Sequence, residues 1–278
     1  MFTLNCKGKL FTITQPIVMG IINTTPDSFY SNSQQHTTDA VVQKATQMLA
    51  EGASILDIGG QTTKPGSEEV GIDEEIKRVV PAIEKIIQQF PNAIISIDTY
   101  HAAVAEAAVH AGASMVNDVS GGLIDNAMIA TVAKLKVPYI CMHMKGTPQN
   151  MQHHVQYDDL IKEMIEYYQE RISQCKAAGI KDIIIDPGFG FSKTVEQNYF
   201  LLRNLSVLDI FTLPILAGLS RKSMIYKYLN TVPEESLNGT TVLNTLALTN
   251  GASILRVHDV KAAQETIVLY EMYKKASV

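Results

Sequence analysis

Eight short apolar runs, each ending in polar residues, constrain this chain more than any other feature. They are Ile17–Asn23, Ile55–Gly60, Ile94–Asp98, Met115–Asp118, Tyr139–His143, Ile183–Asp186, Ile215–Ser220 and Ile254–His258. Stretches with helical periodicity separate most of them. Strand then helix, eight times over, predicts an α/β fold, the (β/α)8 TIM barrel, in which polar residues at the C-terminal ends of the strands converge on one mouth. The 278 residues are close to the roughly 250 of one such barrel, so a single domain over 1–278 is expected. Within residues 1–14, Thr3-Leu-Asn-Cys and Leu10-Phe-Thr-Ile flank Lys7-Gly8-Lys9. This is an N-terminal β-hairpin, placed to plug the bottom of the barrel.

Helices are predicted over Asp39–Glu51, Asp73–Gln89, His101–His110, Asn126–Lys136, Asp158–Ala178, Val195–Leu205, Glu234–Thr249 and Ala262–Lys275. Several end at a glycine suited to the left-handed C-terminal position. A short helix, Met224–Leu229, is expected after the seventh strand. Two connections, Thr24–Thr37 and Gln61–Asp73, are long for a βα loop, whose usual length is about 2–6 residues. At a catalytic mouth, such loops read as covers.

Composition narrows the function. A net charge of −5 without clustered Lys and Arg argues against a nucleic-acid surface. No apolar run approaches the roughly 18 residues of a membrane span, and no signal-peptide pattern opens the chain. Cys6, Cys141 and Cys175 are widely spaced with no ligand pattern, which reads as reduced thiols in a cytoplasmic protein.

The polar strand ends carry the chemistry. Asp98 closes its strand, either as a functional carboxylate or as the N-cap of the following helix. Asp186 precedes Pro187-Gly188, a tight turn that holds it at the rim. Asn117 shares the parity of the inward Met115, so it is favoured over Asp118 as the residue facing a ligand. Lys222 and Ser223 sit where barrels of this kind commonly bind phosphate; Ser223 reads equally well as an N-cap. Arg256 and His258, two apart, face the same side and suit a diphosphate. His143 with His153 and His154 matches no metal motif of useful specificity. His36, His101 and His110 read as solvated or helix-face residues.

With these residues in place, the chain resembles the dihydropteroate synthase family of pterin-binding barrels. The motifs are Met19-Gly-Ile-Ile-Asn-Thr-Thr-Pro-Asp-Ser-Phe29, Asp57-Ile-Gly-Gly-Gln-Thr-Thr-Lys-Pro-Gly66, Ser96-Ile-Asp-Thr99, Asn117-Asp-Val-Ser-Gly-Gly122, Asp186-Pro-Gly-Phe-Gly-Phe191, Gly218-Leu-Ser-Arg-Lys-Ser223 and Arg256-Val-His258. They run in family order along nearly the whole chain.

The resemblance implies a transferase of folate biosynthesis. Such an enzyme joins 6-hydroxymethyl-7,8-dihydropterin diphosphate to 4-aminobenzoate and is the target of sulfonamides. It implies a pterin site of Asp98, Asn117, Met142, Asp186, Phe191, Gly218, Lys222 and Arg256, with Asp98, Asp186, Lys222 and Arg256 as the catalytic set. It further implies a diphosphate site of Asn23, Arg256 and His258, Mg²⁺ on Asn23, and an aminobenzoate site of Phe29, Thr63, Pro65 and Ser223. A homodimer through the later helices is also implied.

Two loops depart from the family pattern. Gln61-Thr-Thr-Lys64-Pro-Gly stands where Glu-Ser-Thr-Arg-Pro-Gly is usual, which gives Lys64 the loop-closing position of an arginine. Tyr30-Ser-Asn-Ser33 replaces Ser-Asp-Gly-Gly. Two alternatives stay open. A methyltetrahydrofolate:corrinoid methyltransferase would share the pterin pocket but has no need of a diphosphate clamp. A non-catalytic pterin-binding relative would fit the altered loops.

Overall fold

The computed structural model describes residues 1–24, 34–61 and 70–276, and of 34–37 the backbone only. Phe29, Tyr30–Ser33, Thr63, Lys64 and Pro65 therefore lie outside the described residues.

The chain opens with an antiparallel hairpin, β1 (Phe2–Cys6) and β2 (Lys9–Ile13). Eight parallel strands follow: β3 (Ile17–Asn23), β4 (Ile55–Gly59), β5 (Ile95–Asp98), β6 (Met115–Asp118), β7 (Tyr139–Met142), β8 (Ile183–Asp186), β9 (Leu216–Ala217) and β10 (Ile254–Val257). Their order around the sheet is β8-β7-β6-β5-β4-β3-β10-β9. A parallel bridge from Ile185 to Ile215 joins its two ends, so the predicted barrel is closed. Between and after the strands lie α1 (Gln34–Ala50), α2 (Ile72–Gln89), α3 (Ala102–Ala111), α4 (Met128–Leu135), α5 (Leu160–Ala178), α6 (Val195–Arg203), α7 (Ser223–Tyr226), α8 (Leu237–Thr249) and α9 (Val260–Lys275).

Strand alternation sorts side chains into two apolar regions. Leu56, Val116, Cys141, Ile185, Ala217 and Leu255 point outward and pack with the helices. Met19, Ile55, Met115, Ile140, Ile184, Leu216 and Ile254 point inward and pack with Leu4, Cys6 and Ile13 of the hairpin. The hairpin is thus the barrel's floor. It is stitched down by Asn5 N–H to Asp182 (3.0 Å), Lys7 Nζ to the Val109 carbonyl (2.7 Å) and Lys9 Nζ to the Pro91 carbonyl (2.8 Å). Each fully buried apolar side chain of this layer contributes about 1.5–3 kcal/mol relative to exposure.

The elements depart from expectation mainly at their ends. α1 begins at Gln34, not Asp39; Gln34–Thr38 contains no Gly or Pro to stop it. α8 begins at Leu237, because Pro233–Glu235 forms a separate 3-10 turn. α6 stops at Arg203, and Leu205–Phe211 continues as 3-10 helix. α7 spans only four residues, with Lys222 at its N-cap position. Ser223 is accordingly the first helical residue and not the cap.

Candidate active site

One inward step above the apolar floor, the strands present a different set of residues. Two positions beyond Ile55, Ser96, Met115, Ile140, Ile184, Leu216 and Ile254 stand Asp57, Asp98, Asn117, Met142, Asp186, Gly218 and Arg256. The period of two therefore builds both the floor and the site above it.

Arg256 crosses this layer. Its Nε donates to Asp57 Oδ2 at 2.6 Å and its terminal nitrogen to Asp98 Oδ2 at 2.5 Å. Asn117 Nδ2 donates to the same Asp57 oxygen at 3.0 Å. Asp57 is fully buried, and its Oδ1 has no partner among the described residues. Burial works against the Arg256 charge, but Asp57 and Asp98 outweigh it and hold the guanidinium protonated. Burial pushes the Asp98 carboxyl up to about 7, with Arg256 opposing and Asp57 adding to the rise.

Asp98 is not a helix cap. The first N–H of α3, on Ala102, donates to Asp125 Oδ2 at 2.8 Å, and His101 N–H donates to Thr99 Oγ1 at 3.1 Å. Those two residues satisfy the turn and leave the Asp98 carboxylate to the barrel interior.

Asn117 and Asp118 divide as parity expects. Asp118 faces away and is saturated by Ser120 N–H (2.8 Å), Ser120 Oγ (2.7 Å), Gly122 N–H (2.7 Å) and Tyr139 OH (2.7 Å). It folds the loop after β6.

Asp186 accepts from Gly188 N–H at 2.8 Å, the tight turn expected of Pro187-Gly188. Burial raises its carboxyl, opposed first by the Lys222 charge. Burial pushes Lys222 down to about 8, with Asp186 opposing. The Lys222 ammonium donates to the Phe189 carbonyl and stands 4.8 Å from the Phe191 ring centre. A Cβ on Gly218 would lie 3.8 Å from Lys222 Nζ and 4.0 Å from Arg256 Cδ. Gly218 thus lies between the two cations, in ordinary contact with both. Met142 and Met144 pack with Tyr100, Val119, Met151 and Phe191 into an apolar wall beside them. Carboxylates, a carboxamide and a lysine together can hydrogen-bond the polar edge of a heterocycle.

Higher at the mouth, the His258 Nδ1 lies 3.0 Å from Ser220 Oγ, which also accepts the His258 N–H at 3.2 Å. Where the Ser220 hydroxyl donates to Nδ1, the neutral ring carries its proton on Nε2. Burial, then Arg256, push His258 down to about 4. The Arg256 and His258 pair therefore carries one charge: the imidazole is neutral beside the guanidinium. Arg221, with a positive φ of 56°, is held by two bonds to Asp259 (2.9 and 2.7 Å) and presents Lys222 to the barrel. Asn23 ends β3, the neighbour of β10, and is exposed.

His143 is buried, and Lys193 Nζ stands 3.0 Å from its Nδ1. A cation there opposes a metal, and no cluster of three or more His, Cys, Asp or Glu suited to one occurs among the described residues. His101 is not solvated: its Nδ1 is 2.9 Å from the buried Glu75.

The structure thus brings Asp98, Asn117, Met142, Asp186, Phe191, Gly218, Lys222, Arg256 and His258 to one mouth. Two residues escaped the sequence reading. Asp57 lay inside a quoted motif at inward parity, so a signal existed. Lys193 carried none.

A closed barrel that gathers buried carboxylates, a carboxamide, a lysine and an arginine at one mouth defines a class of enzyme, and comparison agrees with it. The model of the family described as pterin binding enzyme matches residues 19–258. The Escherichia coli K12 dihydropteroate synthase is 40% identical over 270 residues, covering 96% of this chain and 95% of that protein. The Yersinia pestis dihydropteroate synthase solved with a sulfonamide drug complex superposes with a TM-score of 0.92 at 41% identity, covering 99% of this chain and 100% of that one. The Xanthomonas albilineans dihydropteroate synthase solved with 4-aminobenzoic acid gives 0.92 at 39% identity, covering 99% of each chain. The chain belongs to the pterin binding enzyme family, among its dihydropteroate synthases.

Proposed function

We propose that this transferase joins 6-hydroxymethyl-7,8-dihydropterin diphosphate to 4-aminobenzoate, giving 7,8-dihydropteroate and diphosphate. The observation that carries the reading is that one mouth holds both recognition sets. Asp98, Asn117, Asp186 and Lys222 are polar groups suited to a pterin edge, with Arg256 in the same layer and His258 two residues further along the strand. A corrinoid methyltransferase has no use for the Arg256 and His258 pair.

In this reading Asp186, Asn117 and Asp98 accept from and donate to the pterin edge, and Lys222 donates to its oxo side. Phe191, Met142 and Gly218 line its faces. Arg256 and His258 bind the diphosphate. The methylene C–O bond breaks, its electron pair leaves on diphosphate, and the arylamine nitrogen lone pair forms the new C–N bond before that nitrogen loses a proton. Neutralising the leaving charge in a water-poor site is the main contribution, with alignment of the two reactants second. Ser223, at the start of α7, lies at the same mouth and serves the aminobenzoate carboxylate. Phe29, Thr63 and Pro65 complete that site, and Lys64 closes the loop over it.

Mg²⁺ fits this donor set: Asn23 offers an exposed carboxamide oxygen beside β10, and Mg²⁺ commonly takes few protein ligands with phosphate and water filling the rest. When bound, it neutralises diphosphate charge. A homodimer is supported by an apolar row on the paired helices α8 and α9, in which Val268, Leu269, Met272 and Tyr273 are all exposed with Val242 and Leu246 beside them. Cys6, Cys141 and Cys175 are free and buried, which suits a cytoplasmic setting, and no helix among the described residues is long and apolar enough to cross a membrane.

The test is release of diphosphate by the purified chain. Release that requires both substrates and Mg²⁺, with dihydropteroate formed in equal amount, is expected. Pterin binding without any condensation would leave a non-catalytic binder and end the proposal.

A further inference from the structure

Lysine is almost never fully buried unless paired with a charge, yet Lys193 is 4% exposed. Among the described residues no carboxylate lies within ion-pair distance of it. Its three partners are neutral: the Gly188 carbonyl (3.1 Å), the Phe191 carbonyl (3.1 Å) and His143 Nδ1 (3.0 Å). Burying a cation among neutral acceptors is costly. Burial pushes this ammonium down to about 7.

The partners show what the cost secures. Gly188 and Phe191 belong to the turn after β8, which follows Asp186 and also carries Phe189. Three of its residues have left-handed backbone: Gly188 at φ 67°, Gly190 at φ 81° and Ser192 at φ 46°. For Ser192 that conformation is unfavourable. It is held by Lys145 N–H to Ser192 Oγ (2.9 Å) and Tyr157 OH to the Ser192 carbonyl (3.0 Å). The turn's carbonyls divide between two ammonium groups. Those of Gly188 and Phe191 face Lys193, and that of Phe189 faces Lys222. His143, at the end of β7, ties the arrangement to the barrel, since its N–H also donates to the Asp186 carbonyl at 3.0 Å.

We propose that Lys193 is a positioning residue of the pterin pocket: by gathering the Gly188 and Phe191 carbonyls against His143, it fixes where the Asp186 carboxylate, the Phe189 carbonyl and the Phe191 ring stand around Lys222. This rests on the functional reading above. It gives Lys193 no contact with substrate. Its influence falls on the pterin half of the site and leaves the aminobenzoate half alone.

Two variants of the full chain test it. Lys193→Met keeps length without the donors; Lys193→Gln keeps donors without charge. Circular dichroism reports the fold, calorimetry with 6-hydroxymethylpterin the pocket, and steady-state kinetics the KM for each substrate. The expected result is a folded Lys193→Met with pterin affinity at least tenfold weaker, the pterin diphosphate KM raised in step, and the aminobenzoate KM within twofold. Lys193→Gln should recover part of the loss. A merely structural lysine would lower active fraction and kcat without separating the two KM values. A folded Lys193→Met that loses less than tenfold, or both KM values moving together, overturns the inference. If Lys193→Met does not fold, Lys193→Gln decides: threefold or more loss of pterin affinity with the aminobenzoate KM unchanged supports it, and anything less overturns it. Wild-type chain that binds no pterin would overturn the functional reading, and this inference with it.

Discussion

At the residue scale, the site is an arrangement of charges that are mostly committed to each other. Asp57 sits beneath Arg256 and Asn117 and touches both through one oxygen. Its negative charge aims the guanidinium as a diphosphate ligand. Asp57→Asn has the same shape but sets an amide N–H₂ or a neutral oxygen against a buried cation. Activity with both substrates should fall at least tenfold in kcat/KM for pterin diphosphate, a loss of about 1.4 kcal/mol or more, with circular dichroism unchanged. Wild-type kinetics from a folded variant would remove Asp57 from the machinery. The sequence made Asp98, Asn117, Asp186 and Arg256 legible because strand parity and C-terminal placement are local signals. Asp57 shares that inward parity, but its ion pair with Arg256, 199 residues away, is carried by no local pattern.

His258 makes a second prediction, in pH. Its imidazole titrates near 4 in the fold and near 6.5 in the open chain. Between those values the unfolded chain takes up a proton that the folded chain refuses. The stability tied to this residue is therefore full above about 6.5 and is lost as pH falls towards 4. Asp98, Asp118 and Asp186 titrate upward of their usual range and tilt the whole molecule the other way, so the effect is read as a difference. His258→Gln should gain in urea midpoint relative to wild type between pH 7 and pH 5. A gap that stays constant across that interval would show that the ring charges freely in the folded state.

At the element scale, boundaries were less legible than existence. Every predicted barrel strand formed, because a buried parallel strand is a short apolar run with turn residues beyond it. Helix starts shifted where nothing local forbids an extra turn, as before α1, or where a proline makes its own turn, as before α8. The exposed row on α8 and α9 belongs to this scale, since helical spacing brings Val268, Leu269, Met272 and Tyr273 to one face. If the proposed homodimer forms through this face, the face should not tolerate charge. Leu269→Asp is expected to sediment as a monomer at concentrations where the wild type sediments as a dimer, with little change in the thermal midpoint of the monomer fold. An unaltered dimer would place the interface elsewhere.

At the scale of the whole molecule, the barrel was readable from eight repeats of one pattern, while the pairing at its seam was not. The Ile185 to Ile215 bridge joins strands only two and four residues long at that seam, and the seam depends on every strand before it. The same holds for the floor. The hairpin is one local unit in sequence, yet its anchors lie at Pro91, Val109 and Asp182, at or just beyond the C-terminal ends of three separate helices. On the ribosome this reverses the usual order. Synthesis proceeds at about 5–20 residues per second, so a segment made before the barrel waits on the order of ten seconds or more before Asp182 and the strands beyond it exist. The hairpin is an early-made piece with a late-made socket. In the interval Leu4, Cys6 and Ile13 lack Ile184, Leu216 and Ile254, so the floor they form stays incompletely covered and is a surface a nascent-chain chaperone can hold.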